Sequence, residues 1–108
     1  MDSYNVTMSP FAQKQLRKIV AYLRFDKGSD QAADAVSQDA VDTIETLKSA
    51  AGSLPVCPNP KLAALSYRKI NFLRHRYLMY YRLDGHTVFI DGIYHQSQDH
   101  ANHFIETL

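Results

Sequence analysis

Residues 4–8 alternate between apolar and polar side chains, in the order Tyr, Asn, Val, Thr, Met. An alternation with a period of two is typical of a strand that buries one face. Ser9 and Pro10 follow directly, and these residue types favour the N-cap and the first turn of a helix. The sequence therefore predicts a short strand that leads straight into a helix.

After Pro10 the apolar spacing becomes that of a helix, and it does so twice. The first apolar face consists of Ala12, Leu16, Ile19, Val20 and Leu23. The second consists of Val36, Ala40, Ile44, Leu47 and Ala51, and it ends before Gly52. Steps of three and four residues place such side chains on one side of a helix. The break at 28–30 supplies a turn and two capping residues, so the two helices are predicted to form an antiparallel hairpin.

The second half of the chain is predicted to be mostly strand. The stretch from Leu54 to Pro60 contains three prolines and predicts a loop. Residues 66–83 are rich in aromatic side chains, and we interpret them as two strands because the polar cluster at 74–76 favours a turn inside them. Residues 99–108 have helix-compatible apolar spacing and predict a short C-terminal helix, which needs packing to be stable.

Asp84 and Gly85 separate two strand-like runs, Tyr67 to Leu83 and Thr87 to His95. An Asp-Gly loop of type I′ is a strong hairpin signal, because both central positions need positive φ. This loop gives a core face that pairs Tyr81 with Val88, Met79 with Ile90, Tyr77 with Gly92 and His75 with Tyr94. The other face pairs Arg82 with Thr87, Tyr80 with Phe89, Leu78 with Asp91, Arg76 with Ile93 and Arg74 with His95. A bulge at Gly92 is the alternative that would break this register.

The predicted register gathers basic side chains on an uncovered sheet face. Diagonal neighbours in a strand pair lie roughly 7 to 8 Å apart, so Arg74, Arg76 and His95 are predicted to share one ligand. A structural alternative for Arg76 is an ion pair with its diagonal neighbour Asp91. For His95 the corresponding alternative is a hydrogen bond with Asp99 at the strand end.

The predicted elements define an α+β fold, in which a two-helix hairpin packs on a twisted, mainly antiparallel sheet of about four strands with a short C-terminal helix. With 108 residues and 45% hydrophobic content, the chain is long enough for one core and too short for two. We therefore expect a single domain that spans residues 1–108.

Composition narrows the function classes. No run approaches the roughly 20 apolar residues of a membrane span, and the single Cys57 suits a reducing compartment, so we expect a cytoplasmic protein without membrane contact. The five histidines lack a metal-ligand spacing, and we expect neither metal nor cofactor. The formal net charge is +1, which does not favour wrapping around nucleic acid.

The order of strand, two helices and three-stranded meander resembles the RelE/ParE superfamily, the toxins of bacterial type II toxin-antitoxin modules. The resemblance covers essentially the whole chain. The matching stretches are YNVTMSPFAQKQLRKIVAYL, IETLKSAAGSLP, YRKINFLRHRYLMYYRLDGHTVFIDGIYH and HQSQD. The ending from His95 to Asp99 is similar to the ParE branch, which poisons DNA gyrase. The stretch LRHRYLMYY also resembles the RelE branch, which cleaves messenger RNA on the ribosome.

The ParE-like hypothesis, which the low net charge favours, requires a surface that binds gyrase and no catalysis by the toxin. The residues predicted to bind the target are Arg74, Arg76, Tyr80, His95 and Asp99. Under the RelE-like alternative, the resemblance implies that Arg76 stabilises the phosphate and that His95 is catalytic, assisted by Arg74, Lys69 and His100. A dense lysine run before the hairpin and a tyrosine after His95 are missing for that chemistry.

The resemblance also implies a small cognate antitoxin as partner. We expect it to lie over the helix hairpin or the edge of the sheet, with acidic groups near Arg17, Lys18 and Arg24, and to provide the only contact with operator DNA. A third hypothesis is a co-repressor that binds the antitoxin and has no toxicity of its own.

Overall fold

The computed structural model describes residues 3–108, and it confirms the predicted α+β architecture. The helices are α1 (Pro10–Ala21), α2 (Asp30–Ala50), α3 (Pro60–Ala64) and α4 (His100–Glu106). The strands are β1 (Asn5–Met8), β2 (Arg68–Asn71), β3 (Tyr77–Asp84) and β4 (Thr87–His95). The sheet has the order β1-β4-β3-β2, with β1 parallel to β4 and the other pairs antiparallel. Within the described residues no helix combines the length and the apolar character that crossing a bilayer requires.

The helix hairpin forms where its caps predict it. The Ser9 hydroxyl accepts a hydrogen bond from the Ala12 amide at 3.1 Å, and Pro10 is the first residue of α1. The Ser29 hydroxyl accepts one from the Ala32 amide at 3.0 Å and so begins α2. Each cap satisfies one of the amides that a helix leaves free at its start. A π-helical turn at Tyr22–Asp26 extends α1 before the break.

Helix α3 was not predicted, although its cap is visible in the sequence. The Asn59 side-chain oxygen accepts hydrogen bonds from the amides of Lys61 at 3.0 Å and Leu62 at 3.3 Å, and Pro60 occupies the first turn. Asn followed by Pro is a helix-start signal. A helix of five residues is too short to show a periodic apolar pattern.

The sheet has a core on each face, and this corrects the prediction that one face is uncovered. The larger core lies between the sheet and the α1–α2 hairpin and includes Leu47, Met79, Tyr81, Val88, Ile90 and Ile93. The smaller core lies under α3 and α4 and consists of Cys57, Leu62, Tyr67, Leu78, Tyr80, Tyr94 and Phe104. Because α4 covers this second face, the sheet is buried on both sides near β3.

The hairpin register differs from the predicted one at the turn. Asp84 pairs with Thr87, so the two-residue loop is Gly85-His86 and Leu83 pairs with Val88 rather than with His86. Gly85 has a φ of +60°, whereas Asp84 and His86 do not adopt positive φ. A glycine at the first central position is typical of a type II′ turn. Gly85 is thus the first of the two loop residues, whereas in the predicted loop it is the second.

A second shift follows at Asp91, one residue before the glycine where a bulge was considered. Tyr81 pairs with Ile90 but Tyr80 pairs with Gly92, so Asp91 is the extra residue on β4. One extra residue reverses which face each later side chain occupies. Ile93 therefore enters the large core, and Tyr94 moves to the α4 side, contrary to the predicted pairing with His75.

Gly92 allows α4 to approach the sheet closely. A Cβ atom at this position would lie 2.8 Å from Phe104 Cδ1 and 2.9 Å from Tyr94 Cε2. Phe104 is fully buried and its ring stacks on Tyr80, with 4.6 Å between centroids and 4° between planes. The absence of a side chain at Gly92 therefore makes room for the residue that holds α4 in place.

We expect Gly92→Ala to lower the free energy of unfolding by about 1 to 3 kcal/mol, because the added methyl group overpacks the Phe104 site. Urea unfolding measures this cost. In the Phe104→Leu background the same substitution should cost less, because one of the two rings that the methyl group meets is gone and only Tyr94 remains. An equal cost in both backgrounds would contradict the packing explanation.

Candidate functional site

The loop between β2 and β3 carries the basic cluster, and a buried carboxylate holds it in place. The predicted pairing required Arg74 and Arg76 to lie in a strand. Both lie instead in this loop, outside the strand ladder. The Asp39 carboxylate on α2 accepts hydrogen bonds from the amides of Leu73 at 3.1 Å and Arg74 at 3.0 Å. Its Oδ2 also lies 2.6 Å from His75 Nδ1. Three contacts with consecutive residues fix the path of the loop relative to α2.

Asp39 is fully buried, so its hydrogen bonds compensate for the cost of removing a charge from water. Burial acts to raise the pKa of Asp39, but the hydrogen bonds from His75 and the Arg74 amide outweigh it, and the pKa is lowered from 3.8. Asp39 is therefore ionised in the folded protein at neutral pH, and it orients His75 through Nδ1.

The loop borders a cavity of about 350 Å³ that brings the predicted ligand group together. It is lined by Leu23, Ala32, Val36, Arg74, His75, Arg76, Tyr77 and His95. The Arg74 guanidinium pairs with Asp42. Arg76 is exposed and, among residues 3–108, has no carboxylate within 4.0 Å. The predicted ion pair of Arg76 with Asp91 is wrong, because Asp91 binds Arg82 at 3.1 Å and the Tyr67 hydroxyl at 2.6 Å.

His95 lies at the end of β4, where it separates this cavity from a larger one of about 540 Å³. Its ring meets the Tyr77 ring edge-on at 5.0 Å between centroids. His95 Nδ1 contacts the Ser97 hydroxyl at 2.7 Å and the Ser97 amide at 3.1 Å. The alternative prediction of a hydrogen bond between His95 and Asp99 is wrong. The Asp99 carboxylate accepts instead from the Asn102 side chain at 3.0 Å.

Two other predicted site residues lie on the opposite face of the sheet. Tyr80 is only 2% exposed, and its hydroxyl lies 2.5 Å from His100 Nδ1 under α4. Lys69 pairs with Tyr80 across β2 and β3 and lines a small cavity with Tyr80 and His100. Burial and the nearby Lys69 lower the pKa of His100 below 6.5. Tyr80 was predicted to share a face with Arg76 because alternation was assumed across residues 74–80. The loop interrupts this alternation, so Tyr80 and its partner Lys69 lie away from Arg76.

The three residues predicted to meet the antitoxin lie on α1 and on the turn after it. Arg17 and Lys18 are exposed, whereas Arg24 is engaged with Asp30 at 2.9 Å and Asp34 at 2.8 Å. Arg17 borders an apolar cavity of about 470 Å³ between the helices, next to the 75% exposed Phe25. Phe25 was not among the predicted binding residues, although it lies outside the apolar stripe that predicts the first helix.

Among residues 3–108, no cluster of three or more His, Cys, Asp or Glu side chains is placed to hold a metal ion. The Asp39–His75 pair has the geometry of a hydrogen-bonded histidine rather than of a metal ligand set.

Residues 6–100 match the sequence model of the ParE toxin of the type II toxin-antitoxin system parDE. Because this match spans most of the chain, the protein belongs to the ParE toxin family. The fold is similar to a solved chain from the chromosomal ParDE TA system of P. aeruginosa, with a TM-score of 0.70 and 18% sequence identity, covering 86% of this chain and 96% of that chain. No curated protein sequence shows a significant match.

We expect Asp39→Asn to lower the free energy of unfolding by about 3 kcal/mol at pH 7, because an amide cannot accept all three hydrogen bonds and brings its own donors against them. The folded-state pKa lies below 3.8, so the advantage of aspartate is complete above that pH and declines as the pH falls through the folded-state value. Urea unfolding between pH 7 and pH 3 measures both effects.

The matched control is Asp42→Asn, one helical turn further on, since Asp42 makes a partly exposed ion pair with Arg74. Its cost should stay below about 1 kcal/mol. Equal costs for the two variants, or a cost for Asp39→Asn that does not change with pH, would contradict the role assigned to the buried carboxylate.

Proposed function

We propose that this ParE-family toxin acts in the cytoplasm, arrests growth by poisoning DNA gyrase and is neutralised by a cognate antitoxin. The observation that carries the proposal is the family match over residues 6–100. The near-neutral net charge of +1 supports a protein target over a target contacted through many phosphates. On this proposal the toxin is not an enzyme, because trapping the cleaved-DNA state of gyrase requires binding alone.

The target-binding surface that we propose consists of Arg74, Arg76, His95 and Asp99. The first three line the 350 Å³ cavity, and Asp99 is exposed where the chain turns from β4 into α4. Arg76 is the strongest candidate, because arginine is enriched in binding hot spots and this one is not engaged by a carboxylate of the described residues. Tyr80 is left out because its ring is buried.

For the antitoxin we propose the surface formed by Arg17, Lys18 and the exposed Phe25. The exposed cations favour an acidic partner, and the apolar cavity beside Phe25 offers area for a helix with one apolar face. Arg24 contributes less, because Asp30 and Asp34 already neutralise it. Operator DNA is contacted through the antitoxin.

Ribosome-dependent cleavage of messenger RNA is the second candidate. It is favoured by the position of Arg76 beside two imidazoles, one of which is oriented by a carboxylate, since such cleavage needs proton transfer and a cation for the phosphorane. The position of Lys69 on the opposite face counts against it. In this mechanism His95→Gln should slow cleavage far more than it weakens ribosome binding.

The test is induced expression in bacteria without antitoxin, followed by two measurements in parallel. Gyrase poisoning predicts a DNA damage response and gyrase-dependent DNA breaks before protein synthesis falls. Intact DNA with rapid loss of protein synthesis would instead support messenger RNA cleavage. Normal growth, with repression only when the antitoxin is present, would support the co-repressor.

Within this assay, Arg76→Gln should raise the expression level needed for growth arrest by about tenfold, because a charged hydrogen bond is worth about 1.5 to 3 kcal/mol. The fold should be unaffected, since Arg76 is exposed. Lys61→Gln at the start of α3 is the matched control, because it removes one exposed charge on the other side of the sheet. Equal toxicity of Arg76→Gln and the unmodified toxin would remove Arg76 from the target-binding surface.

The antitoxin surface has its own prediction. Replacing Arg17 and Lys18 together by Glu should weaken capture of the cognate antitoxin by about tenfold or more, because like charges then face each other, while toxicity in its absence persists. Co-purification and growth rescue by the antitoxin measure the two effects. Lys14→Glu on the same helix is the control, and equal loss from it would show that only overall charge matters.

A further inference from the structure

Two neighbouring cavities of different character meet at Tyr77 and His95, which line both of them. The cavity of about 350 Å³ carries the basic loop residues, and the cavity of about 540 Å³ carries Tyr22, Lys18 and two glutamine side chains. Their sizes are in the usual range of small-molecule sites. No carboxylate of residues 3–108 lines either cavity, whereas Lys18, Arg74 and Arg76 do. The combined surface therefore carries positive charge, which favours an anionic ligand.

The smaller cavity offers donors suited to a phosphate group. Arg76 presents a guanidinium that no carboxylate of the described chain occupies, and guanidinium groups bind phosphate oxygens through paired hydrogen bonds. Asp39 accepts from His75 Nδ1–H, so Nε2, to which nothing in residues 3–108 is hydrogen-bonded, adds a second donor for phosphate when the ring is in its imidazolium form. Asp39 itself is buried behind the loop, its oxygens accept from three donors, and it does not line the cavity.

The larger cavity offers a platform suited to a flat aromatic group. The Tyr22 side chain is 45% exposed, and the Tyr77 and His95 rings form the wall towards the smaller cavity. Bases stack on such rings with little dependence on their identity. Gln15 and Gln98 use their side-chain oxygens to accept from the amides of Ile93 at 2.7 Å and His95 at 2.9 Å. The NH₂ group of Gln98 therefore remains as a donor for the acceptors on a base edge, whereas the Gln15 side chain is also hydrogen-bonded to Tyr94.

We propose that the two cavities together bind a nucleoside phosphate, with the phosphate at Arg76 and His75 and the base against Tyr22 and Tyr77. The unit recognised is the same in a free nucleotide and in a single-stranded nucleic acid. This inference does not depend on gyrase being the target, because binding is measured on the purified chain alone.

Isothermal titration of the purified full chain with nucleoside monophosphates, inorganic phosphate, unphosphorylated nucleosides and a short single-stranded oligonucleotide tests the proposal. Nucleoside monophosphates should bind at least about tenfold more tightly than inorganic phosphate or the nucleosides, equivalent to about 1.4 kcal/mol. Tighter binding of the oligonucleotide would assign the site to a nucleic-acid strand, and equal or weaker binding would assign it to free nucleotides. No binding of any phosphorylated probe overturns the proposal.

Two pairs of variants locate the binding on this surface. Arg76→Gln should weaken nucleotide binding by about tenfold, whereas Lys61→Gln, which removes a charge beyond the sheet, should leave it unchanged. Tyr22→Leu should weaken it by about tenfold through loss of stacking, whereas Tyr22→Phe should preserve it. Equal effects within either pair would place the nucleotide elsewhere and overturn the assignment. Growth arrest is scored separately, so a failed nucleotide titration leaves the gyrase proposal standing.

Discussion

The fixed position of the β2–β3 loop depends on one buried carboxylate. Asp39 lies inside the molecule with no exposed surface, and three donors from residues 73–75 surround it. A buried charge of this kind is tolerated only while its partners stay in place, so α2 and the loop must adopt one relative arrangement. That arrangement brings Arg76, in the loop, to the surface next to His95 at the end of β4. The position of the candidate site therefore depends on the buried contacts between Asp39 and residues 73–75.

A second constraint acts on the opposite face of the sheet. The extra residue Asp91 reverses the orientation of β4 beyond it, and this turns Tyr94 towards α4 while Ile93 fills the core under the hairpin. Gly92, next to the irregularity, leaves the space that Phe104 occupies. Because His95 follows on the same reversed stretch, the irregularity that lets α4 pack also turns His95 towards the helix hairpin and the basic loop.

The elements that sequence predicts well are those with local signals. Ser9 and Ser29 cap helices where their side chains can reach nearby amides, and Gly85 marks the hairpin turn. The prediction of strand faces was poorer because each error in register is carried along the whole strand. Moving the loop from Asp84-Gly85 to Gly85-His86 shifts the pairing by two residues, so each side chain stays on its predicted face. The extra residue Asp91 shifts the pairing by one, so the side chains that follow it on β4 change face. No local pattern reports that Asp39 reaches across 34 residues to Leu73, and that contact decides where Arg74 and Arg76 lie.

Charge patterning shows the same dependence on long-range contacts. The acids at 30–45 and the bases at 61–82 form separate blocks in the sequence, which suggests a molecule with one acidic and one basic side. In the structure, Asp42 pairs with Arg74 and Asp39 with His75. Some side chains of the acidic block are therefore paired with side chains from the basic half of the chain. Asp30 and Asp34 are likewise engaged by Arg24. Arg76 on the loop and Arg17 and Lys18 on α1 keep the charge that this pairing removes elsewhere, and the two groups lie on different elements. Under the proposed function, the antitoxin and the target would therefore be recognised by different cations of a chain whose net charge is only +1.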